Sequence, residues 1–102
     1  MSSGANSPFA PAVTVTVASS STSANTFVPS GGDVMMITNP TSALAFVRFG
    51  ADATVVAGSS DTPVLPNSHI LLRCGPKVSY CAAVLTSGSG AVMFTRGDGA
   101  ST

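Results

Sequence analysis

No helical spacing of apolar residues survives in this chain. Every i, i+3, i+4, i+7 pattern that begins is cut by Pro or Gly before it fills a window of about 11 residues. Seven Pro and ten Gly, in a chain of 102 residues, are enough to do this throughout. What remains is a series of short apolar runs separated by turn chemistry, and such runs can bury themselves only as strands.

Val13, Val15 and Val17 alternate with Thr14 and Thr16, which puts valines on one face of a strand and hydroxyls on the other. Ser19 to Thr26 reads as a loop, Phe27-Val28 as a short strand, and Pro29-Ser30-Gly31-Gly32 as a turn. Val34 to Thr38 is a strand ended by Asn39-Pro40, and Ala43 to Phe49 is another ended by Gly50. Within the latter, Ala45, Val47 and Phe49 share one face, and Phe46 and Arg48 share the other. Thr54 to Ala57 is a weak strand before the loop Gly58 to Pro63, and Val64 to Asn67 reads as a turn. Ser68 to Arg73, Val78 to Leu85 and Ala91 to Thr95 then form a meander closed by two tight turns, around Gly75-Pro76 and Ser87 to Gly90.

Seven or eight short strands with a turn signal about every 8–12 residues predict an all-β fold: a small antiparallel β-sandwich, jelly-roll or Greek-key-like. The domain is expected over residues 13–99, after an extended N-terminal arm (1–12) and before a short polar tail (100–102). Pro8, Phe9 and Pro11 are the arm residues able to bury against a neighbour. Ordering the arm costs on the order of 1–2 kcal/mol per residue, which that burial must offset.

Charge narrows the function. Only 8% of the residues are charged, four basic against four acidic, and every acidic residue is Asp. The mean hydropathy is +0.44. A neutral, charge-poor surface is poorly protected from association, so the chain is expected to be a homo-oligomer or part of an assembly. Arg48, Arg73, Lys77 and Arg96 are scattered and form no footprint for nucleic acid. No stretch approaches the roughly 20 apolar residues of a membrane helix. Residues 1–11 lack the basic and apolar regions of a signal peptide, so synthesis in a cytoplasm is expected.

The inventory for chemistry is thin. Asp33, Asp52, Asp61 and Asp98 fall in loops, apart from any acid–base pair. If Gly75-Pro76 centres a hairpin, Cys74 and Cys81 lie roughly 13 Å apart along the ladder, too far for a disulfide, so both are expected as free, buried thiols. On the same geometry His69 comes near Cys81, but no third group orients the base. No ligand spacing for a metal is present. The expectation is therefore no enzyme, no cofactor, no metal and no small-molecule substrate. Arg96-Gly97-Asp98 spells the tripeptide that integrins read, and is expected as a strand-ending turn with Asp98 capping backbone amides. The Thr14/Thr16 face resembles flat Thr arrays that bind ice or sugars, but one strand is too little for that. Arg48, flanked by Phe46 and Phe49, either snorkels from a sheet edge or anchors an interface with Phe46.

The order Asn39-Pro40, Ala45 to Gly50, Pro63 to Pro66, Ala82 to Leu85, Ser87 to Gly90 and Arg96 to Gly99 resembles small virion proteins of tailed bacteriophages. The likeness spans Val34 to Gly99 and is carried by turn and strand residues. It implies a capsid decoration or cement protein on the outer face of the shell, with the major capsid protein as partner and the virion as location. On that reading Pro8, Phe9, Pro11, Phe46 and Arg48 are the candidate interface. The alternative is a carbohydrate- or receptor-binding module of a tail fibre.

Overall fold

A computed structural model of the chain describes residues 10–29, 31–75 and 77–98. Eight strands run through them: β1 Ala10–Ser19, β2 Ala24–Phe27, β3 Val34–Asn39, β4 Ala45–Gly50, β5 Thr62–Val64, β6 Ser68–Arg73, β7 Tyr80–Leu85 and β8 Gly90–Asp98. There is no helix among the described residues. The strands make two four-stranded antiparallel sheets. Sheet I has the order β1-β8-β3-β6 and sheet II the order β2-β7-β4-β5.

Several boundaries differ from the sequence reading. Ala10, Pro11 and Ala12, counted with the arm, belong to β1, where Pro11 stands opposite Gly97 beside a bulge. Thr54 to Ala57 forms no strand, and Ala24 and Thr62 open strands inside segments read as loops. The larger correction concerns the meander. β6 and β8 lie in sheet I and β7 in sheet II, so neither tight turn closes a hairpin. Of all consecutive strands only β4 and β5 pair. Turn residues such as Gly75 (φ 79°) and Gly88 (φ 69°) reverse the chain. Nothing local in them specifies whether the chain returns to the same sheet or crosses to the other.

Alternation decides the core. Val17, Met35, Ile37, Val92 and Phe94 of sheet I meet Ala45, Val47, Val64, Cys81, Ala83 and Leu85 of sheet II in one buried cluster. Phe49 closes on Phe94 edge to face, ring centres 6.3 Å apart. Near the start of β1, the backbones of β1, β8 and the connection before β3 crowd closely. A methyl on Gly97 would run into the Ala10 carbonyl, and one on Gly32 (φ 130°) into the Gly97 carbonyl.

Two fully buried polar side chains staple the sheets together at opposite ends of β3. Near Val34 is Arg96, expected in a turn but lying inside β8 with its side chain inward. Its Nε donates to Gly32 O (2.8 Å), Nη1 to Val78 O (2.5 Å) and Pro29 O (3.4 Å), and Nη2 to Gly75 O (2.8 Å). The guanidinium fork thus holds two connections, β2–β3 and β6–β7, by their backbone carbonyls. At the far end, Asn39 donates to Ala43 O (2.8 Å), Val64 O (3.1 Å) and Leu65 O (3.3 Å). Its Oδ1 accepts from the Thr41 amide and hydroxyl at 3.1 and 2.6 Å. Among the described residues no buried side-chain N or O lacks a partner, as a small core requires.

Candidate interaction surfaces

Sheet II carries the two candidate residues from the middle of the chain. Phe46 and Arg48 do point outward from β4, opposite Val84 and Ala82 of β7. β4 lies between β7 and β5, so Arg48 is not on an edge strand, but β5 pairs only with Ala45 to Val47 and leaves Arg48 just past its end. There its exposed guanidinium reaches Asp61 at 3.6 Å, a surface pair contributing about 0–1 kcal/mol. Two shallow clefts, of about 350 and 390 Å³, lie on either side of Arg48.

The segment after β4 covers much of this face. Asn25 of β2 donates to Ala53 O (3.0 Å) and Val55 O (3.2 Å), and Ser23 Oγ accepts from the Ala57 amide (2.9 Å). Val55 sits against Gly50 so closely that a methyl there would collide with it. Residues 51–57 therefore form a strap from β4 to β2, and Ala82 on the face between them is fully buried. The strap's turn is set by Asp52, which accepts from the Thr54 amide and hydroxyl. Those bonds favour the charged form and hold the Asp52 carboxyl below its usual range.

Sheet I is different. Its register lines up Thr16, Met93, Thr38 and His69 in one row across all four strands, and Thr14, Thr95, Met36 and Leu71 in the next. Phe94, Ile37 and Val17 point inward, so these rows form the outer face. Thr14 and Thr95 hydroxyls hydrogen-bond at 3.0 Å. Neither row carries an acidic residue, Lys or Arg. Arg73, at the end of β6, is held by Asp33 at 2.7 Å. The sequence showed only the β1 contribution to this face. The other three strands join it through a strand order that no local signal encodes.

The candidate interface residues do not come together. Pro11 lies on β1 of sheet I, Phe46 and Arg48 on the outer face of sheet II, and Pro8 and Phe9 outside the described residues. His69 and Cys81 also separate, His69 outward on sheet I and Cys81 inward on sheet II, so the hairpin geometry that brought them near does not form. Cys81 is a free thiol opposite Phe49, and burial pushes it up to about 12. Cys74 is free and half-buried, its thiol raised chiefly by burial. Arg96 is buried, so the Arg-Gly-Asp tripeptide is not displayed as an adhesion loop would be. Asp98 ends β8 exposed, opposite Ala10. No group of three His, Cys, Asp or Glu able to hold a metal occurs among the described residues. No described helix is long and apolar enough to cross a membrane. Comparison with known proteins finds no matching family model, curated relative or solved structure.

Proposed function

We propose that this chain is a virion structural protein that sits on the outer surface of a tailed-phage capsid and stabilises it by bridging neighbouring subunits. The observation that carries the reading is the asymmetry of its two outer faces. One is strapped over by residues 51–57, while the other presents two rows of Thr, Met, Leu and His69 across four strands, with no acidic residue, Lys or Arg in either row. Such a face desolvates at little electrostatic cost and suits contact with another protein. The strand orders support the architecture expected for such a protein, since 1-8-3-6 over 2-7-4-5 is the order of an eight-stranded jelly roll. Fold alone does not assign function, so the face is the stronger argument. Each docked copy needs only a modest contact of about 1,000 Å², because repetition over a shell supplies avidity.

The test is co-sedimentation with candidate phage capsids. Wild-type protein is expected to saturate the shell at a fixed copy number. Leu71→Glu/Thr38→Glu, which charges the face far from β1, is expected to bind at least about tenfold more weakly while melting normally. Failure of the wild type on every capsid sinks the virion reading, and undiminished binding of the double variant sinks the face. The tail-fibre alternative rests on the exposed Phe27 edge-on to Tyr80 at 5.7 Å. A glycan array hit lost in Phe27→Ala would favour it.

A further inference from the structure

We infer that β1 is a homotypic interface, pairing antiparallel with β1 of a second copy about a two-fold axis through Val15. This deepens the assembly part of the reading above and does not depend on what the assembled protein binds.

The four sheet edges are not equally protected. β5 is three residues long and contains Pro63. β2 is four residues long, and the side chain of its Asn25 holds the strap. β6 carries His69 and the charged Arg73. Short length, Pro and charge are the usual devices that stop edges from pairing with other chains. β1 is ten residues long and has no charged residue. Its one proline and its bulge both lie at the start, between Pro11 and Val13, leaving Val13 to Ser19 free of any such device. β8 occupies one side of β1, and among the described residues no strand pairs with the other.

The sequence of that open edge specifies its own partner. Ala12-Val13-Thr14-Val15-Thr16-Val17-Ala18 reads the same in both directions. A two-fold interface requires that if residue i faces j, then j faces i. With the axis at Val15, Val13 faces the partner's Val17, Thr14 faces the partner's Thr16, and Val15 faces the partner's Val15. Every valine then stays on the core side and every threonine on the outer side, in both copies. A slip by one residue would set valines against threonines, and a slip by two would oppose Val17 to Pro11 or Val13 to Ser19, so only the register centred on Val15 matches the whole palindrome.

Burial supplies an independent reason. Val13 and Val15 point to the core side, as Val17 does, yet remain half-buried where Val17 is covered. The facing strand β2 has only four residues, too short to roof the ten of β1. The partner's valines would complete that cover. The product is an eight-stranded sheet, β6-β3-β8-β1 continued by the same four strands in reverse order, with the two Thr- and Met-rich outer faces merged into one.

Sedimentation velocity on the full chain, from about 1 µM to about 1 mM, tests the interface. A concentration-dependent dimer is expected. Thr14→Lys/Thr16→Lys, at two exposed positions, sets lysine opposite lysine twice across the axis, and the dimer dissociation constant should rise at least about tenfold. The melting profile of the variant at low concentration should match the wild type. Register is read separately, in a Cys74→Ser background under oxidised glutathione. A mixture of Thr14→Cys and Thr16→Cys proteins should cross-link to a heterodimer, because directly opposed Cα atoms lie about 4.5–5.5 Å apart, within disulfide range. Neither protein alone should do so comparably. A wild type that stays monomeric to about 1 mM, a lysine variant that dimerises like the wild type, or equal cross-linking of Thr14→Cys with itself would each overturn the assignment. Capsid binding enters none of these readouts, so the two proposals fail separately.

Discussion

Replacing Arg96 by Met should be among the most damaging single changes this protein can take. Methionine keeps much of the volume and removes the charge, so the experiment isolates the polar staple from the packing. Two terms oppose each other. Arg96 is fully buried with no carboxylate in contact, and an ion taken out of water costs several kcal/mol, a penalty the methionine escapes. Against that, the guanidinium makes three bonds of 2.5–2.8 Å and a longer one of 3.4 Å to backbone carbonyls. Hydrogen bonds to a charged group are worth about 1.5–3 kcal/mol each, and an abandoned buried acceptor costs about 1–3 kcal/mol. Three well-made bonds outweigh the relief of desolvation, and a net loss of about 3–5 kcal/mol follows, comparable to breaking a buried ion pair. That is a large share of the roughly 5–15 kcal/mol available to a small domain. At about 4–8 °C per kcal/mol, the melting temperature should fall by at least ~12 °C. Arg96→Lys should lie between the two, since a compact ammonium cannot span four carbonyls on two separate connections. Urea titration followed by far-UV circular dichroism gives the free energies, and an unchanged m-value certifies the comparison. A Met variant within about 1 kcal/mol of wild type would refute the reasoning, because the carbonyls would then be worth no more than the charge's desolvation.

Asn39 at the opposite end should behave similarly, with Asn39→Ala losing about 2–4 kcal/mol by the same titration. Asn39→Asp should be worse than Ala at neutral pH, because it aims a carboxylate at the carbonyls of Ala43 and Val64, and should recover as acid protonates it. Cys81 sets an alkaline limit. Below about pH 8.5 the thiol is protonated in both states, whereas above it only the unfolded chain ionises, since the folded thiol titrates at about 12. Stability should therefore fall by up to about 1.4 kcal/mol per pH unit above pH 9, and Cys81→Ala should flatten that slope. Native Cys81 should also resist iodoacetamide at pH 8 until the protein is unfolded, as peptide mapping would report.

Much of the strand content was legible because it follows from local chemistry. Period-two alternation in Val13 to Val17 and Ala45 to Phe49 assigned faces that the burial of Val17, Val47 and Ala45 reproduces. The outward direction of Phe46 and Arg48 followed from the same rule. The flat outer face of sheet I was half visible, as Thr14 and Thr16, and its other strands were not. Each of Met36, Thr38, Met93 and Leu71 reads equally well as a surface or a core residue of its own strand.

Steric alternation and turn chemistry act over a few residues, and so the chain alone determined its all-β class, the absence of helix among its described residues, its low charge content and the palindrome of β1. Which strand lies beside which is decided by how two sheets close over one core. That closure put β7 in sheet II between neighbours distant in sequence, and so dissolved the expected meander. It also reversed the reading of Arg96. In sequence it stands beside Gly97 and Asp98 and looks like an exposed turn. In the fold, the parity that sends Val92 and Phe94 inward sends Arg96 inward too, where carbonyls from 29–32 and 75–78 converge on it. A side chain's direction is a local property of its strand; what it meets there depends on residues far away along the chain, which only the tertiary structure brings within reach.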